Sequence, residues 1–347
     1  MDLFVDALAQ EMASLPKQFS PTSIFFGGGT PSLLNLQQWD KILQSMAGLN
    51  IAEGTEWTIE CNPATVSSDK ASLLKSGGVN RISMGVQSMD EGLLERLGRI
   101  HSRQAVFSSY EKLRRAGFEN INLDLMFAIP TQTLSQWKQT LREIITLQPE
   151  HLSSYEVIYE DDTPLFHQLK AGEFEVDDDL SDAMYEHLLS DAASAGYERY
   201  EIANFAKAKS ASSSYACQHN LNYWQGGDWI GLGPSASSRL NGIHWRNIDN
   251  TTVYRQNIEA GVPVKQPAEI LSPKRRASEV AAFGLRMTRG WSFDLFLQKT
   301  GWDLREHWQE AMQKLIQEDK AIMTEERFYL TSKGLKFADY AASLFVE

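Results

Sequence analysis

A repeated alternation of strands and helices fills the first half of the chain and restricts the folds that it can adopt. Short apolar runs end in glycine-rich or polar residues, and helical patterns separate one run from the next. The residues that end the five runs are Gly27, Glu60, Gln87, Asp124 and Glu156. A spacing of roughly 30 residues is the length of one strand, one helix and the step to the next parallel strand. The pattern therefore predicts an α/β fold with a parallel sheet or a (β/α) barrel.

The number of strands favours an open form of that architecture. A closed (β/α) barrel has eight strands, whereas the alternation here supplies five and stops near residue 170. We therefore expect a partial barrel over residues 1–170 and an extension of it over residues 171–265. Residues 266–347 combine helices with two short strands, which predicts a mainly helical C-terminal domain similar to a winged helix. No element there concentrates Lys and Arg, so we interpret this domain as a structural or docking module.

Composition excludes several classes of function. The net charge of −12 argues against a general surface for nucleic acid or for anionic membranes. Two cysteines exclude a disulfide framework and every site that needs three or four thiolates, such as a [4Fe–4S] cluster. The chain opens in an amphipathic helix over Leu3–Leu15, without a signal peptide or a run of 18 apolar residues. We therefore expect a cytoplasmic protein.

The segment Gly27–Pro31 follows the first strand directly. Three consecutive glycines allow a ligand to approach the backbone closely, and the free amides can bind an acceptor group. The segment matches neither a Walker A loop nor the G-x-G-x-x-G dinucleotide fingerprint. A tight turn between strand and helix explains the three glycines equally well.

Polar residues at the next strand ends suggest a shared binding site. Carboxylates such as Glu60 and Asp124 suit ribose hydroxyls or an α-amino group, and Gln87 can both donate and accept. Arg99 can bind a carboxylate through two N–H groups. Each residue alone is also typical of a salt-bridged or solvated side chain. Because the C-terminal ends of parallel strands meet at one mouth, the set predicts a site for a zwitterionic ligand that carries a sugar.

A second cluster, CQHNLNYW, covers residues 217–224. The neutral imidazole of His219 can ligate iron or another metal, and Tyr223 and Trp224 can stack on a planar macrocycle. A core histidine packed beside aromatic rings explains the same pattern. His244, which precedes Trp245, has the same two interpretations. The segment Lys207–Tyr215, small and polar, predicts a flexible surface loop before this cluster.

Seven motifs, in this order, resemble the radical S-adenosylmethionine (SAM) family related to oxygen-independent coproporphyrinogen III oxidase, and most of all its haem-chaperone branch. The resemblance extends over nearly the whole chain. The motifs are FFGGGTPSLL (25–34), ECNP (60–63), RISMGVQS (81–88), LGRIH (97–101), NLDLM (122–126), QHNLNYW (218–224) and GLGPSA (231–236).

The resemblance implies a partial (β/α)6 barrel, a smaller C-terminal domain and two ligands, SAM and haem. By the matching motifs, Gly28, Gly29 and Thr30 contact the methionyl part of SAM, and Ile158 lies near the adenine. The polar groups and ribose of SAM are held by Glu60, Gln87, Arg99 and Asp124. The haem motif supplies His219, Asn220, Tyr223 and Trp224, with His219 as the iron ligand. Implied partners are haem and a client protein that receives it, with a homodimer as a further option.

One departure from the family concerns its [4Fe–4S] cluster. The C-x-x-x-C-x-x-C motif that holds this cluster in the family is absent, and Cys61 and Cys217 cannot replace three neighbouring thiolates. We therefore assign no metal ligand to this chain and expect it not to cleave SAM. The family's first barrel strand is also missing, which leaves a free edge on the strand Ser23–Phe26. We interpret the sequence as a product translated from a start assigned too far downstream. A smaller departure is Ser237, where relatives usually have histidine.

Two functions fit these observations. The first is a haem chaperone that binds haem and SAM and delivers haem to client proteins. The alternative is an oxygen-independent coproporphyrinogen III oxidase, a radical SAM decarboxylase of porphyrin biosynthesis. Whether the chain is an enzyme stays open, because the cluster ligands that this chemistry needs are missing from it.

Overall fold

A mainly parallel sheet of eight strands is the centre of the structure. The computed structural model describes residues 1–16, 18–161 and 163–346. The strands of this sheet are β1 (Ser23–Phe26), β2 (Glu56–Cys61), β3 (Arg81–Gln87), β4 (Ile121–Phe127), β5 (His151–Glu156), β6 (Tyr197–Arg199), β7 (Asn204–Ser210) and β8 (Ser213–Ser214). Their order is β1-β2-β3-β4-β5-β7-β6, with β8 paired to β7. Strands β1 to β5 are parallel, and β7 runs antiparallel to both of its neighbours in this order. The predicted open α/β fold is therefore confirmed.

Helices cover one face of this sheet. They are α1 (Asp2–Ala13), α2 (Leu36–Met46), α3 (Ser68–Ser76), α4 (Glu91–Arg96), α5 (Arg103–Arg115), α6 (Leu134–Thr146), α7 (Pro164–Lys170) and α8 (Asp178–Ser194). Alternate strand residues such as Ile59, Leu123 and Leu152 are fully buried in the main apolar core, to which most of these helices contribute. Because side chains alternate along a strand, the intervening residues point to the opposite face.

This opposite face is mostly polar, and we call it the polar face. It carries Ser23, Phe25, Glu56, Thr58, Glu60, Arg81, Ser83, Gln87, Asn122, Asp124, His151, Ser153 and Tyr155. The residues predicted at the strand ends lie on this face. The alternation of apolar runs and helical patterns in the sequence thus predicts β1 to β5 correctly, to within a few residues at each end.

The prediction of a flexible loop over Lys207–Tyr215 is wrong. Most of this segment belongs to β7 and β8, which form a hairpin. Strand β7 also bonds to β5 on one side and to β6 on the other, through pairs such as Leu152 with Phe205. Within the segment, Lys207 pairs with Tyr197 of β6, and the later residues pair with one another across the hairpin, as Ala208 does with Ser214. This backbone pairing decides the structure, whereas the small and polar side chains of the segment carry little strand propensity.

A smaller antiparallel sheet follows the main one. Its elements and the adjoining helices are α9 (Gln218–Trp224), β9 (Ser237–Leu240), β10 (Ile243–Arg246), α10 (Thr251–Glu259) and β11 (Glu269–Ile270). The buried side chain of Glu11 on α1 holds this region to the first helix. It accepts hydrogen bonds from Gly233 N (2.7 Å), Asn247 Nδ2 (2.8 Å) and Tyr254 Oη (2.6 Å).

The C-terminal domain has an apolar core of its own, which contains Trp291, Phe296 and Phe328. Its elements are α11 (Pro273–Gly284), β12 (Trp291–Ser292), α12 (Phe293–Thr300), α13 (Leu304–His307), α14 (Gln309–Gln317), β13 (Ala321–Met323), β14 (Arg327–Leu330), α15 (Ser332–Lys336) and α16 (Ala338–Ser343). The three strands form an antiparallel sheet in the order β12-β14-β13. Helices followed by a small hairpin agree with the predicted C-terminal domain. Among the described residues, no helix combines the length and apolarity needed to cross a membrane.

The Glu11 contacts lead to a prediction about stability. Replacing Glu11 with alanine leaves three donors without their acceptor, so we expect the free energy of unfolding to fall by about 3 kcal/mol or more. Urea unfolding measures this change. Asp6→Ala on the same helix is the matched control, because Asp6 is exposed and its salt bridge to Lys41 joins two exposed side chains, for an expected loss below about 1 kcal/mol. A Glu11→Ala variant that unfolds like the control would contradict the prediction.

Candidate functional site

The loop after β1 brings backbone close to an acidic side chain of the polar face. A Cβ atom at Gly27 would lie 2.8 Å from Cδ of Glu60 and 2.7 Å from the Phe25 ring, so only glycine fits there. Gly28 has a φ of +81°, and neither Gly28 nor Gly29 has any atom within 4 Å of where a side chain would start. The loop therefore borders open space beside the Glu60 carboxyl group.

Glu60 lies on the polar face near the end of β2 and is half-buried. Burial raises the pKa of its carboxyl group to about 7, with a further increase from the nearby Asp124 and a decrease from the Gly28 backbone N–H. The group is therefore partly protonated at neutral pH. A cationic ligand would favour its ionised form.

Asp124 on β4 is the second carboxyl group of this site. It accepts a hydrogen bond from Asn122 Nδ2 at 2.7 Å and from Ser83 Oγ at 3.3 Å. Burial nevertheless raises the pKa of Asp124, against the opposing effect of these donors and of Arg81. Asp124 lies in the middle of β4 and not at its end, where it was predicted. Two carboxyl groups with raised pKa values on one face of a sheet are nevertheless typical of a functional site.

Gln87, the last residue of β3, has a left-handed backbone with a φ of 66° beside a bulge in the strand pairing. Its side chain is buried, and its Oε1 accepts a hydrogen bond from Tyr155 Oη at 3.2 Å. Such a backbone costs about 1–3 kcal/mol in a residue other than glycine, and strain of this kind concentrates at binding sites.

Tyr155 connects the predicted residues to one another, and sequence reasoning missed it. Burial raises the pKa of its phenol to about 12, Asp124 and Glu60 raise it further, and Arg99 and the hydrogen bond to Gln87 lower it. The four predicted polar residues therefore all lie within electrostatic reach of this single side chain. Its position in the alternation of β5 was the available signal, because Tyr155 shares a face with His151 and Ser153.

The remaining predicted residues lie on the loops around these strand ends. Thr30, Arg99 and Ile158 are exposed, and Ile158, just after β5, is 76% accessible. The side chains of Glu60, Gln87 and Asp124 thus lie around Tyr155. The loop side chains of Thr30, Arg99 and Ile158 are exposed to solvent.

The second predicted cluster begins at the other end of β2, and its His219 ring reaches the Phe25 side chain beside Gly27. Helix α9 begins beside Glu56, the first residue of β2, whose carboxylate accepts from Gln218 N and His219 N, both at 3.1 Å. The Cys217 thiol also donates to Glu56, at 3.4 Å, and Cys217 N donates to Tyr200 Oη at 3.2 Å. These contacts attach the helix to the polar face.

The imidazole of His219 is packed among aromatic rings. It stacks on Phe25 with ring centroids 4.7 Å apart, and its other contact is the edge of Tyr223 at 4.8 Å. Its Nδ1 lies 3.3 Å from Ser23 Oγ, and Nε2 has no hydrogen-bond partner among the described residues. Burial, followed by the positive charge of Arg81, lowers the pKa of His219 to about 4. The ring is therefore neutral at physiological pH, the form that ligates iron.

The other members of the haem motif have different surroundings. Asn220 is half-buried, and Tyr223 also contacts Trp229 with centroids 4.7 Å apart. The ring of Trp224 faces the guanidinium of Arg286 at 4.6 Å, and its buried Nε1 has no partner in the described part of the chain. Trp224 therefore packs toward the C-terminal domain, and His219 and Tyr223 pack toward the sheet.

The residues present do not fit a [4Fe–4S] cluster. Cys61 is the last residue of β2, whereas Cys217 contacts the first, so the two thiols lie at opposite ends of that strand. Burial raises the pKa of Cys61 to about 12 and that of Cys217 to about 11, which keeps both thiols protonated. Within residues 1–16, 18–161 and 163–346, no group of three His, Cys, Asp or Glu side chains could hold a metal ion.

Comparison with protein families matches two parts of the chain. Residues 2–144 match the radical SAM superfamily, and residues 271–337 match the HemN C-terminal domain. The first match contains every predicted SAM residue except Ile158, and the second lies within the C-terminal domain.

Individual relatives agree with these matches. "Heme chaperone HemW" of Bacillus subtilis is 34% identical, over 96% of this chain and 88% of the relative. The protein of the same name from Lactococcus lactis is 31% identical, over 98% and 88%. Among solved structures, coproporphyrinogen III oxidase (HemN) from Escherichia coli superposes with a TM-score of 0.84 over 99% of this chain and 82% of that one. At 19% identity, this last similarity concerns the fold alone.

The surroundings of His219 lead to a prediction about its titration. We expect NMR of the ring protons to give a midpoint at about pH 4, because burial and Arg81 both disfavour the charged ring. Since an unfolded histidine titrates near 6.5, the stability that the neutral ring provides is complete above that pH and is lost as the pH falls toward 4. The resonances are assigned by their loss in His219→Ala. A midpoint near 6.5 would show that the ring is not enclosed.

Proposed function

Because the chain belongs to the HemW family of haem chaperones within the radical SAM superfamily, we propose that it binds haem at helix α9, binds SAM at the C-terminal ends of β1–β5, and delivers haem to a client protein. Haem is the cargo in this function. The observation that carries the proposal is the neutral, enclosed imidazole of His219 within the haem motif.

The surroundings of His219 suit an axial iron ligand. Its lone pair must be free of a proton, and the low pKa provides this at any physiological pH. With Nδ1 facing Ser23, Nε2 is the nitrogen left for iron. Tyr223, in edge contact with the imidazole, offers an aromatic ring beside the bound haem.

The strand ends fit the groups of SAM. We assign Gly28, Gly29 and Thr30 to its methionyl part, because open space lies beside Gly28 and Gly29. The ionised carboxyl groups of Glu60 and Asp124 suit its α-amino group and ribose hydroxyls. Gln87 and Arg99 hold further polar groups, and Ile158 provides an apolar surface near the adenine.

When bound, SAM supplies a sulfonium cation and an adenosyl group. Its reductive cleavage requires an electron from the cluster, which these residues cannot ligate, so we derive no radical step for this chain. Binding and releasing haem need no such step. The alternative function, coproporphyrinogen III oxidation, rests on a relative whose similarity concerns the fold alone, whereas the HemW relatives are 31–41% identical.

The haem proposal predicts a spectroscopic effect of His219→Ala. Removing the axial imidazole should change the position of the Soret band and weaken ferric haem binding at least tenfold. Titration of each protein with haem, followed by visible absorption, measures both quantities.

His244→Ala is the matched control for this experiment. His244 is a half-buried imidazole near Trp229, with ring centroids 6.3 Å apart, but it lies outside the haem motif. We expect its replacement to leave the Soret band in place. An unchanged band in His219→Ala would remove His219 as the ligand, and a changed band in His244→Ala alone would transfer that role to His244.

The SAM proposal predicts that affinity depends on pH through Glu60. Because the cationic ligand favours the ionised carboxyl group, and its pKa is about 7 without ligand, affinity should rise as the pH increases. We expect SAM to bind about tenfold more tightly at pH 8 than at pH 6 and to level off above pH 8. Saturation-transfer NMR measures this change in affinity even where the dissociation constant for SAM is in the millimolar range.

Glu60→Gln is the control for the pH dependence, because its amide has no proton to lose in this range. It should bind SAM more weakly at pH 8 and show little change down to pH 6. Equal affinity of the wild-type chain at pH 6 and pH 8 would exclude Glu60 from the site, and no SAM binding at either pH would refute the SAM proposal.

A further inference from the structure

We propose that Glu56 is a positioning residue for His219, because its carboxylate holds the first turn of α9 against the sheet and so fixes where the imidazole lies. This inference rests on the proposed function, since it gives Glu56 its role only if His219 ligates haem. None of the sequence motifs contains Glu56.

The contacts of Glu56 replace a cap that the helix does not provide for itself. Cys217 stands at the N-cap of α9 and makes no side-chain capping bond. The first N–H groups of a helix have no partner within the helix. Glu56 accepts from two of them, those of Gln218 and His219, and also from the Cys217 thiol. One side chain, about 160 residues away in the sequence, therefore binds three consecutive residues of the haem motif.

His219 is held at two points by neighbouring strands. Its backbone N–H donates to Glu56, and its ring nitrogen Nδ1 lies beside Ser23. Ser23 and Glu56 are direct partners in the register of β1 and β2. The main chain and the ring of His219 are thus fixed by one pair of residues at the start of two adjacent strands. Fixing both determines the direction in which Nε2 points.

The charges around Glu56 suit this role. The buried Cys217 thiol donates to the Glu56 carboxylate at 3.4 Å. Arg81, 2% exposed, lies near enough for Glu56 to raise the pKa of its guanidinium. An anion at the start of a helix also interacts favourably with the helix dipole. A neutral acceptor would therefore hold α9 less firmly than Glu56 does.

Substitutions of Glu56 test the proposal in the full chain with ferric haem as the probe. Glu56→Ala should weaken haem binding about 10- to 100-fold. It should also reduce the fraction of iron that is ligated by histidine, which visible absorption and electron paramagnetic resonance spectra measure. Glu56→Gln should weaken binding only about threefold to fivefold, because its amide oxygen still accepts from the helix but carries no charge. Glu53→Ala, which removes an exposed carboxylate three residues earlier, should behave like the wild-type chain.

The outcomes separate this proposal from the haem proposal. If His219→Ala alters the spectrum and Glu56→Ala binds haem like the wild-type chain, Glu56 has no positioning role and His219 remains the ligand. If His219→Ala changes nothing, the ligand assignment fails, and the role of Glu56 fails with it. Urea unfolding shows whether Glu56→Ala folds. If Glu56→Ala does not fold, the Glu56→Gln variant tests the proposal instead. A loss of haem affinity of about threefold or more in that variant supports the proposal, and unchanged haem affinity overturns it.

Discussion

The guanidinium of Arg81 is buried in the middle of the polar face, and both candidate sites depend on the charges that surround it. Its side chain is 2% exposed, and its one hydrogen bond among the described residues joins Nη1 to Thr58 Oγ1 at 3.5 Å. Burial lowers the pKa of Arg81, but Cys217, Glu56, Tyr200 and Asp124 raise it by more. The thiol and the phenol are neutral at physiological pH, so the two carboxyl groups are the counter-charges. A buried cation is stable only with such partners.

These two carboxyl groups, of Glu56 and Asp124, belong to different candidate sites. Glu56 begins β2 and holds α9, and Asp124 belongs to the strand-end group with Glu60. Glu56 and Glu60 are four residues apart on one strand, a distance of about 13 Å. The positive charge of Arg81 helps to lower the pKa of His219 and acts against the increase in the pKa of Asp124. One polar face therefore keeps the His219 imidazole neutral and also raises the pKa of the Glu60 and Asp124 carboxyl groups.

The strand ends could be predicted from the sequence because their signal is local. Glu60, Gln87 and Asp124 each follow a short apolar run, and the C-terminal ends of parallel strands lie together in any fold of this class. The segment Lys207–Tyr215 was predicted wrongly, because its strand structure comes from backbone pairing within the β7–β8 hairpin and with β6, which its small and polar side chains do not signal.

Sequence reasoning missed Glu56 and Ser23, which contact the haem motif, because their partners lie far away in the sequence. Glu56 contacts residues 217–219, and Ser23 contacts His219 across 196 positions. No spacing in one sequence shows such a contact. A weaker signal did exist: Glu56, Thr58 and Glu60 alternate along one strand and therefore share its polar face.

Simultaneous binding of haem and SAM tests the central claim most directly, namely that one polar face carries two separate sites. Equilibrium dialysis of labelled SAM against the chain, first alone and then saturated with ferric haem, measures whether the two ligands exclude each other. The account predicts a ternary complex in which the affinity for SAM changes less than about threefold, because the Phe25 ring, which stacks on His219 and reaches the position of a Cβ at Gly27, lies between the two groups of residues. Displacement of SAM in proportion to the haem added would contradict it.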